Sequence, residues 1–180
     1  IDERQVLAQS AAAALGRQTD QLIIDVLDAG SNSANIAHGS AALTLAKALT
    51  TYETFGEADV PDDGQRYFVV SPAGWADLLQ LDQFSRAEYV GEGELPYAGG
   101  MTAKRWLGFL FFTHSGLTLA STTRDCHAYH KSAIGLATGA DVKTEVNYVP
   151  EKVSHLTTSM MSMQAVAIDA EGFMQIQITE

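Results

Sequence analysis

From Glu3 to Asp28 the chain has no proline, and Val6, Leu7, Ala11, Leu15, Leu22, Ile23, Val26 and Leu27 recur at three, four and seven residues. That spacing places them on one face of a single long helix. Asp2 stands where a cap is needed and Gly30 where a helix closes, and at about 1.5 Å per residue the rod measures roughly 39 Å. A helix that long in a domain of this size braces something, and Gly16 is its one weak point. The polar stretch "GSNSANIAHGS" then reads as a loop, with Ser40 capping a second helix that runs to Thr54 and ends at Gly56. On that helix Leu43, Ala46, Leu49 and Tyr52 share a side.

After "EADVPDDGQ" the run "RYFVVS" predicts a short strand buried on both faces. Ser71 and Pro72 follow as cap and first residue of a helix carrying Trp75, Leu78 and Leu79. From Asp82 to Met101 the chain is polar and rich in glycine (Gly91, Gly93, Gly99, Gly100), too long for a plain connection, and it predicts a loop with a partner. Strands are predicted at Trp106 to Thr113, around Leu117 to Ala120, and through "RDCHAYH", which leads into a short helix from Lys131 to Ala137. The last forty residues read as strands: Val142 to Val149, a segment ending in "MQAVAID", the turn "AEG", and "FMQIQIT". Helices in front and strands behind predict an α+β fold.

Composition narrows the function classes. The 180 residues are 46% apolar, enough for one domain or for two lobes that share a core. A formal charge of −11 and eleven scattered basic residues disfavour a grip on nucleic-acid phosphates, so no sequence-specific nucleic-acid binding is expected. A single cysteine rules out an intramolecular disulfide framework and makes a reducing, cytosolic origin the default. The strongly apolar run from Trp106 to Phe112 is far short of the roughly 20 residues that span a bilayer, and no basic-then-apolar leader precedes the first helix, so no membrane partner is expected. The start at Ile1, already in helix-like sequence, predicts a fragment of a longer protein.

Candidate chemistry gathers at Cys126, His127 and His130. A zinc site needs about four ligands at matched spacing and a c-type haem needs a second cysteine, and "CHAYH" supplies neither. In a strand, alternation sends Cys126, Ala128 and His130 to one face and His127 and Tyr129 to the other, so the two histidines do not converge. No G-x-S-x-G, G-x-x-x-x-G-K or H-E-x-x-H occurs, and His114 beside Ser115 is a pair of chain neighbours pointing apart. "DVPDDG" departs from a calcium loop, since the twelfth position counted from Asp59 is Val70. Met160, Met161 and Met163 read as gap-filling core, and Trp75 and Trp106 as core anchors. The expectation is therefore no catalytic, cofactor-binding or metal residue, no cofactor and no enzyme. The competing reading is a small metal-dependent hydrolase around His114, His127 and His130.

The ordered set "RQVLAQSAAAALGRQTDQLIIDVLDAG", "RYFVVSPAGWADLLQ", "LPYAGGMTAKRWLGFLFFTHSGL", "AYHKSAIGLATG" and "AVAIDAEGFMQIQI" resembles a major capsid protein of a tailed bacteriophage across essentially the whole chain. The resemblance implies the tailed-phage capsid fold. Residues 1–30 would be the spine helix of a peripheral domain, 31–149 an axial domain, and 150–180 strands returning to the peripheral domain. The family's N-terminal arm and extended loop ahead of the spine have no counterpart here, and no residue matches a covalent cross-linking site. What the resemblance implies for function is an icosahedral shell subunit that self-associates into pentamers and hexamers around packaged double-stranded DNA. Scaffold, portal and decoration proteins would be its partners, the virion its location and the bacterial host cytoplasm its place of assembly, in a phage or prophage. An encapsulin-like nanocompartment shell is the alternative on the same fold.

Overall fold

The computed structural model describes residues 3–30, 35–86 and 103–180. It is a mixed helix-and-sheet fold that forms two compact units, one of residues 1–26 with 135–166 and one of residues 27–134 with 167–180. The borders fall within the leading helix and at the ends of two long strands. They differ from the divisions after residues 30 and 149 expected from the sequence. Asp2 and residues 87–101 of the glycine-rich loop lie outside the described residues.

The leading helix α1 covers Glu3–Ala29, ending one residue before Gly30. In the first unit Ala8, Ala11, Leu15, Thr19 and Leu22 form its half-buried stripe, while Val6 and Leu7, expected on the inner face, are exposed.

The second unit is built on a seven-stranded sheet. Its strands are β1 (Asn35–Ile36), β2 (Arg66–Val70), β3 (Ala103–Trp106), β4 (Phe109–Thr113), β5 (Leu119–Ala120), β6 (Thr123–His130) and β9 (Phe173–Thr179), in the order β1-β9-β6-β2-β4-β3 with β5 beside β6. β6 runs antiparallel to β2 and to β9, with Phe68 opposite Ala128 and Cys126 opposite Ile176. Alternation then puts Phe68, Phe111, Cys126, Ala128, Ile176 and Ile178 in the core with almost no exposure. Helices α2 (Leu45–Glu57), α3 (Pro72–Gln80) and α4 (Asp82–Ser85) add Phe55, Trp75, Leu78 and Phe84 to that core. Rings meet edge to face at Phe55–Phe109 (5.2 Å) and Trp75–Phe84 (5.5 Å), and Phe68 stacks on Phe111 at 4.6 Å.

Several local expectations are corrected. The run Trp106 to Thr113 is two strands: Leu107 and Gly108 both take positive φ (50° and 76°), the geometry of a two-residue hairpin turn, and Trp106 pairs with Phe109. Ser40 does not cap α2, because its φ of 53° is left-handed; Thr44 does, in extended conformation, its Oγ1 accepting from Lys47 N at 3.4 Å. The helix predicted over 131–137 is a single 3-10 turn at Lys131–Ala133 followed directly by strand β7 (Ile134–Val149). Ala133 O is taken by Ile168 N at 2.8 Å, and a Cβ at Gly172 would lie 2.6 Å from the Ala133 Cβ, so the chain is pinned there and has no room to wind on. The "AEG" segment is not a hairpin turn. It connects β8 (Ser154–Ala167), which pairs with β7 in a sheet of its own, to β9 in the seven-stranded sheet. The first residues of the predicted loop from Asp82 form α4.

β7 and β8 complete the first unit as a hairpin. A 3-10 turn at Pro150–Lys152 and a left-handed Val153 (φ 48°) join them, and Thr144 Oγ1 meets Ser159 Oγ at 2.9 Å across the pair. Positions 157, 159, 161, 163 and 165 of β8 are covered in alternation. Met161 and Met163 bring their sulfurs to 3.8 and 3.6 Å from Thr19 Oγ1, so these two pack as expected, whereas Met160 faces outward.

One cation ties the second unit together. Lys47, nearly buried on α2, donates to His38 O (3.0 Å), Ala41 O (2.9 Å) and Gln177 O (2.8 Å), using all three ammonium protons to hold the entry turn of α2 against β9. Replacing Lys47 by Met leaves three carbonyls without a donor, and urea unfolding of Lys47→Met is expected to show a loss of about 2–4 kcal/mol.

Candidate functional site

β6 carries the residues that sequence chemistry singles out. Held between β2 and β9, it fixes the direction of each side chain. Cys126 lies in the core with no exposure, and burial pushes its thiol up to about 12. A thiol so held stays protonated at neutral pH and is a poor nucleophile.

The two histidines go to opposite faces and to different carboxylates, as alternation requires. His127 is fully buried, with Nε2 2.9 Å from Asp28 Oδ1 but outside hydrogen-bond alignment, and Val69 and Gln175 flank it in the sheet. Thr118 Oγ1 donates to the other oxygen of Asp28 at 2.5 Å. Burial works to raise the Asp28 carboxyl, but its contacts with His127 and Thr118 outweigh that and hold it below the ordinary aspartate value. His130 has Nε2 3.1 Å from Asp63 Oδ1 and Nδ1 2.7 Å from Ser132 Oγ, where it caps the 3-10 turn.

The remaining candidates also have local roles. His114 Nδ1 accepts from Gly116 N at 3.0 Å, and Ser115 is exposed. In the acidic turn Asp63 Oδ1 accepts from Gln65 N at 2.9 Å. Among the described residues no three of His, Cys, Asp and Glu stand together in a way that could hold a metal ion. Trp75 and Trp106 both pack on Phe84, as core anchors do.

Sequence reading missed the buried cations. Arg66 sends Nε to Pro61 O (3.0 Å) and Nη2 to Val60 O, and lies over the rings of Phe55 and Phe109. Lys104 donates to Phe84 O and stands 4.6 Å from the centre of that ring. Arg124 binds Glu180 through Nε (3.1 Å) and Nη2 (2.9 Å), and Ser71 Oγ contacts the other Glu180 oxygen. The available signal was a basic residue inside an apolar run, alone in "LAKAL" and paired in "AKRWLGF".

Among the described residues one exposed surface is apolar. β8 contains no Asp, Glu, Lys or Arg in fourteen residues, and on its outer row Leu156, Met160 and Val166 are 53%, 50% and 56% exposed. β7 adds Val142, Val146 and Tyr148, all exposed. An open strand of this kind is ordinarily blunted by charge or proline.

A family model described as "Phage capsid protein" matches residues 1–180. The chain belongs to the phage capsid protein family. The fold of this capsid-family chain is similar to a structure from Mycobacterium phage Che8, with TM-score 0.72 and 20% identity, over 93% of this chain and 61% of that one. It is similar to the capsid structure of the cyanophage P-SCSP1u, with TM-score 0.73 and 15% identity, over 100% of this chain and 67% of that one. It also resembles a chain of the mature capsid of bacteriophage PhiM1, with TM-score 0.72 and 14% identity, over 100% and 66%. The chain thus spans between 61% and 67% of the length of these structures. No curated protein matches it in sequence. The likeness carries the fold, and the uncharged ribbon is the feature of this capsid-family chain that remains for function.

Two outcomes test the site. Cys126 is expected to resist a thiol reagent in the folded protein and to react fully in denaturant, read by absorbance. Glu180, like Asp28, is held below its ordinary value: burial raises it, but Arg124 and Ser71 prevail. Their stabilisation is complete above the unfolded carboxylate range of about 3.9–4.3 and is lost as pH falls through the lower folded values. Urea midpoints followed down the acid limb should therefore fall for the wild type and fall less for Asp28→Asn and Glu180→Gln.

Proposed function

We propose that this protein is the structural subunit of an icosahedral bacteriophage shell, associating with its own copies into pentamers and hexamers around packaged double-stranded DNA. On this reading the helix-and-hairpin unit is the peripheral domain and the sheet unit the axial domain. The shell forms in the bacterial cytoplasm, with scaffold, portal and decoration proteins as its further partners, and the virion is where the protein functions.

The observation that carries the reading is the β8 row. A fourteen-residue strand without a formal charge, in a chain of net charge −11, with exposed Leu156, Met160 and Val166, is an aggregation hazard for a subunit alone and an interface for a subunit among copies. Subunits joined by such a surface need no steering by opposite charge, because burial of apolar area supplies the attraction. The charge balance suits a container. Lys47, Arg66 and Lys104 are spent on carbonyls of the chain itself, so they offer nothing to DNA phosphates, and the acidic remainder keeps packaged DNA from adhering to the wall.

The test is electron microscopy of the protein expressed from its complete gene, with and without its gene neighbours. Closed shells are expected for the wild type. The double variant Leu156→Lys, Met160→Lys is expected to stay as folded subunits with unchanged circular dichroism and a shell yield down at least about tenfold, from like-charge repulsion and lost apolar burial. Shells formed as readily by the variant, or never by the wild type, would overturn the proposal.

A further inference from the structure

Helix α2 is inverted. Its buried side holds the polar residues Lys47 and Thr51 beside Ala48 and Phe55. Its outer side carries Ala46, Leu49 and Tyr52 at three-residue spacing, with Leu49 45% and Tyr52 46% exposed. A surface helix ordinarily turns its apolar row inward. Here rotation is blocked: Lys47 Nζ is fastened to three carbonyls, Thr51 Oγ1 donates to Lys47 O at 2.9 Å, and Phe55 is wedged against Phe109. The apolar row therefore stays outside, and its three residues are ones that the sequence places on one side of the helix.

Resting on the shell-subunit reading, we propose that the outer face of α2, formed by Ala46, Leu49 and Tyr52, is a contact for a second copy of this chain, and that the contact is heterologous, α2 of one copy meeting a different face of the next. Charge decides between the two modes of pairing. The exposed Glu53 and Glu57 flank the row, and the last turn of α2 has no basic residue. Two copies packed α2 to α2 would set these carboxylates against their own images, and like charges at such a contact are unfavourable. A different face of the neighbour brings cations instead: Arg105 and Lys131 are exposed on the same compact unit. Head-to-tail contacts of this kind are the ones that close into rings.

The experiment uses the protein from its complete gene, carrying Leu49→Cys, with any cysteine outside these 180 residues changed to serine. Buried Cys126 stays silent, so maleimide labelling reads the new thiol. Labelling at least about tenfold slower in shells than in dissociated subunits is expected, as exclusion of water from a packed interface requires. Mild oxidation of shells is expected to leave Leu49→Cys without disulfide dimers, because a heterologous contact keeps the two thiols apart. Equal labelling in shells and subunits would overturn the contact while leaving the shell reading intact, and abundant disulfide dimers would overturn its head-to-tail character. Failure of the wild type to assemble would remove both.

Discussion

The seven-stranded sheet depends on the register of β6. Because Cys126 is opposite Ile176 and Ala128 opposite Phe68, β6 is locked on both edges, and a slip of one residue would turn all eight of its side chains over. Such a slip would move the His127 imidazole away from Asp28 into the apolar layer occupied by Phe68, Phe111 and Ile178 and set an apolar side chain of β6 against the Asp28 carboxylate. The cost of burying an imidazole among rings without its carboxylate enforces the register as firmly as the ladder hydrogen bonds do. The histidines of this strand thus act through where they cannot go. His127 reaches Asp28 at the end of α1 and His130 reaches Asp63 in the acidic turn, so two distant segments are fastened to opposite faces of one strand.

Buried cations extend this logic to the irregular backbone. Turns leave carbonyls that no ladder satisfies, and an orphaned buried carbonyl is unfavourable. Lys47, Arg66, Lys104 and Arg124 each send donors to carbonyls in the entry turn of α2, the turn before β2, the end of α4 and the segment before β5. In a chain with few basic residues this allocation has a consequence outside the core, since every cation turned inward leaves the surface more acidic. Asp28 shows the same economy from the acidic side. The last turn of α1 carries no basic residue, and a carboxylate there opposes the helix dipole; the Thr118 hydroxyl and the His127 ring supply what the helix lacks.

Elements with a local cause were legible in the sequence. α1 follows from a long period without proline, β2 and α3 from "RYFVV" and the Ser71–Pro72 start, and β6 and β9 from their alternation. The errors arose where a tertiary partner overrides a local signal. Ser40 is as good a cap in isolation as Thr44, but residues 38–41 are held in a bend by Lys47 on the His38 and Ala41 carbonyls, by Ala41 N on His38 O and by Ser40 N on His38 Nδ1. The break at Leu107 and Gly108 was hidden because leucine rarely takes positive φ, and "KSAIGLA" has helical composition while its place is fixed at Ala133 by Ile168 and Gly172, far along the chain. At the site, alternation alone separated His127 from His130, but no local pattern reveals that their partners are Asp28 and Asp63.

The outward apolar row of α2 and the misreading of Met160 share one physical root. Periodicity marks where apolar side chains prefer to leave water, and it does not say whether the surface that receives them belongs to the same chain. In α2 the row of Ala46, Leu49 and Tyr52 has the spacing of a core face, yet the fold spends the inner side on Lys47 and Thr51. In β8 the covered row meets Thr19, and on the outer row Leu156, Met160 and Val166 are exposed. A chain selected to fold and remain alone would have lost these side chains to charge, since solubility improves and the core loses nothing. On the shell-subunit proposal, neighbouring copies complete the burial of these rows in both compact units. On that proposal, periodicity misleads at Met160 because the cover for an apolar side chain comes from a second copy rather than from the same chain.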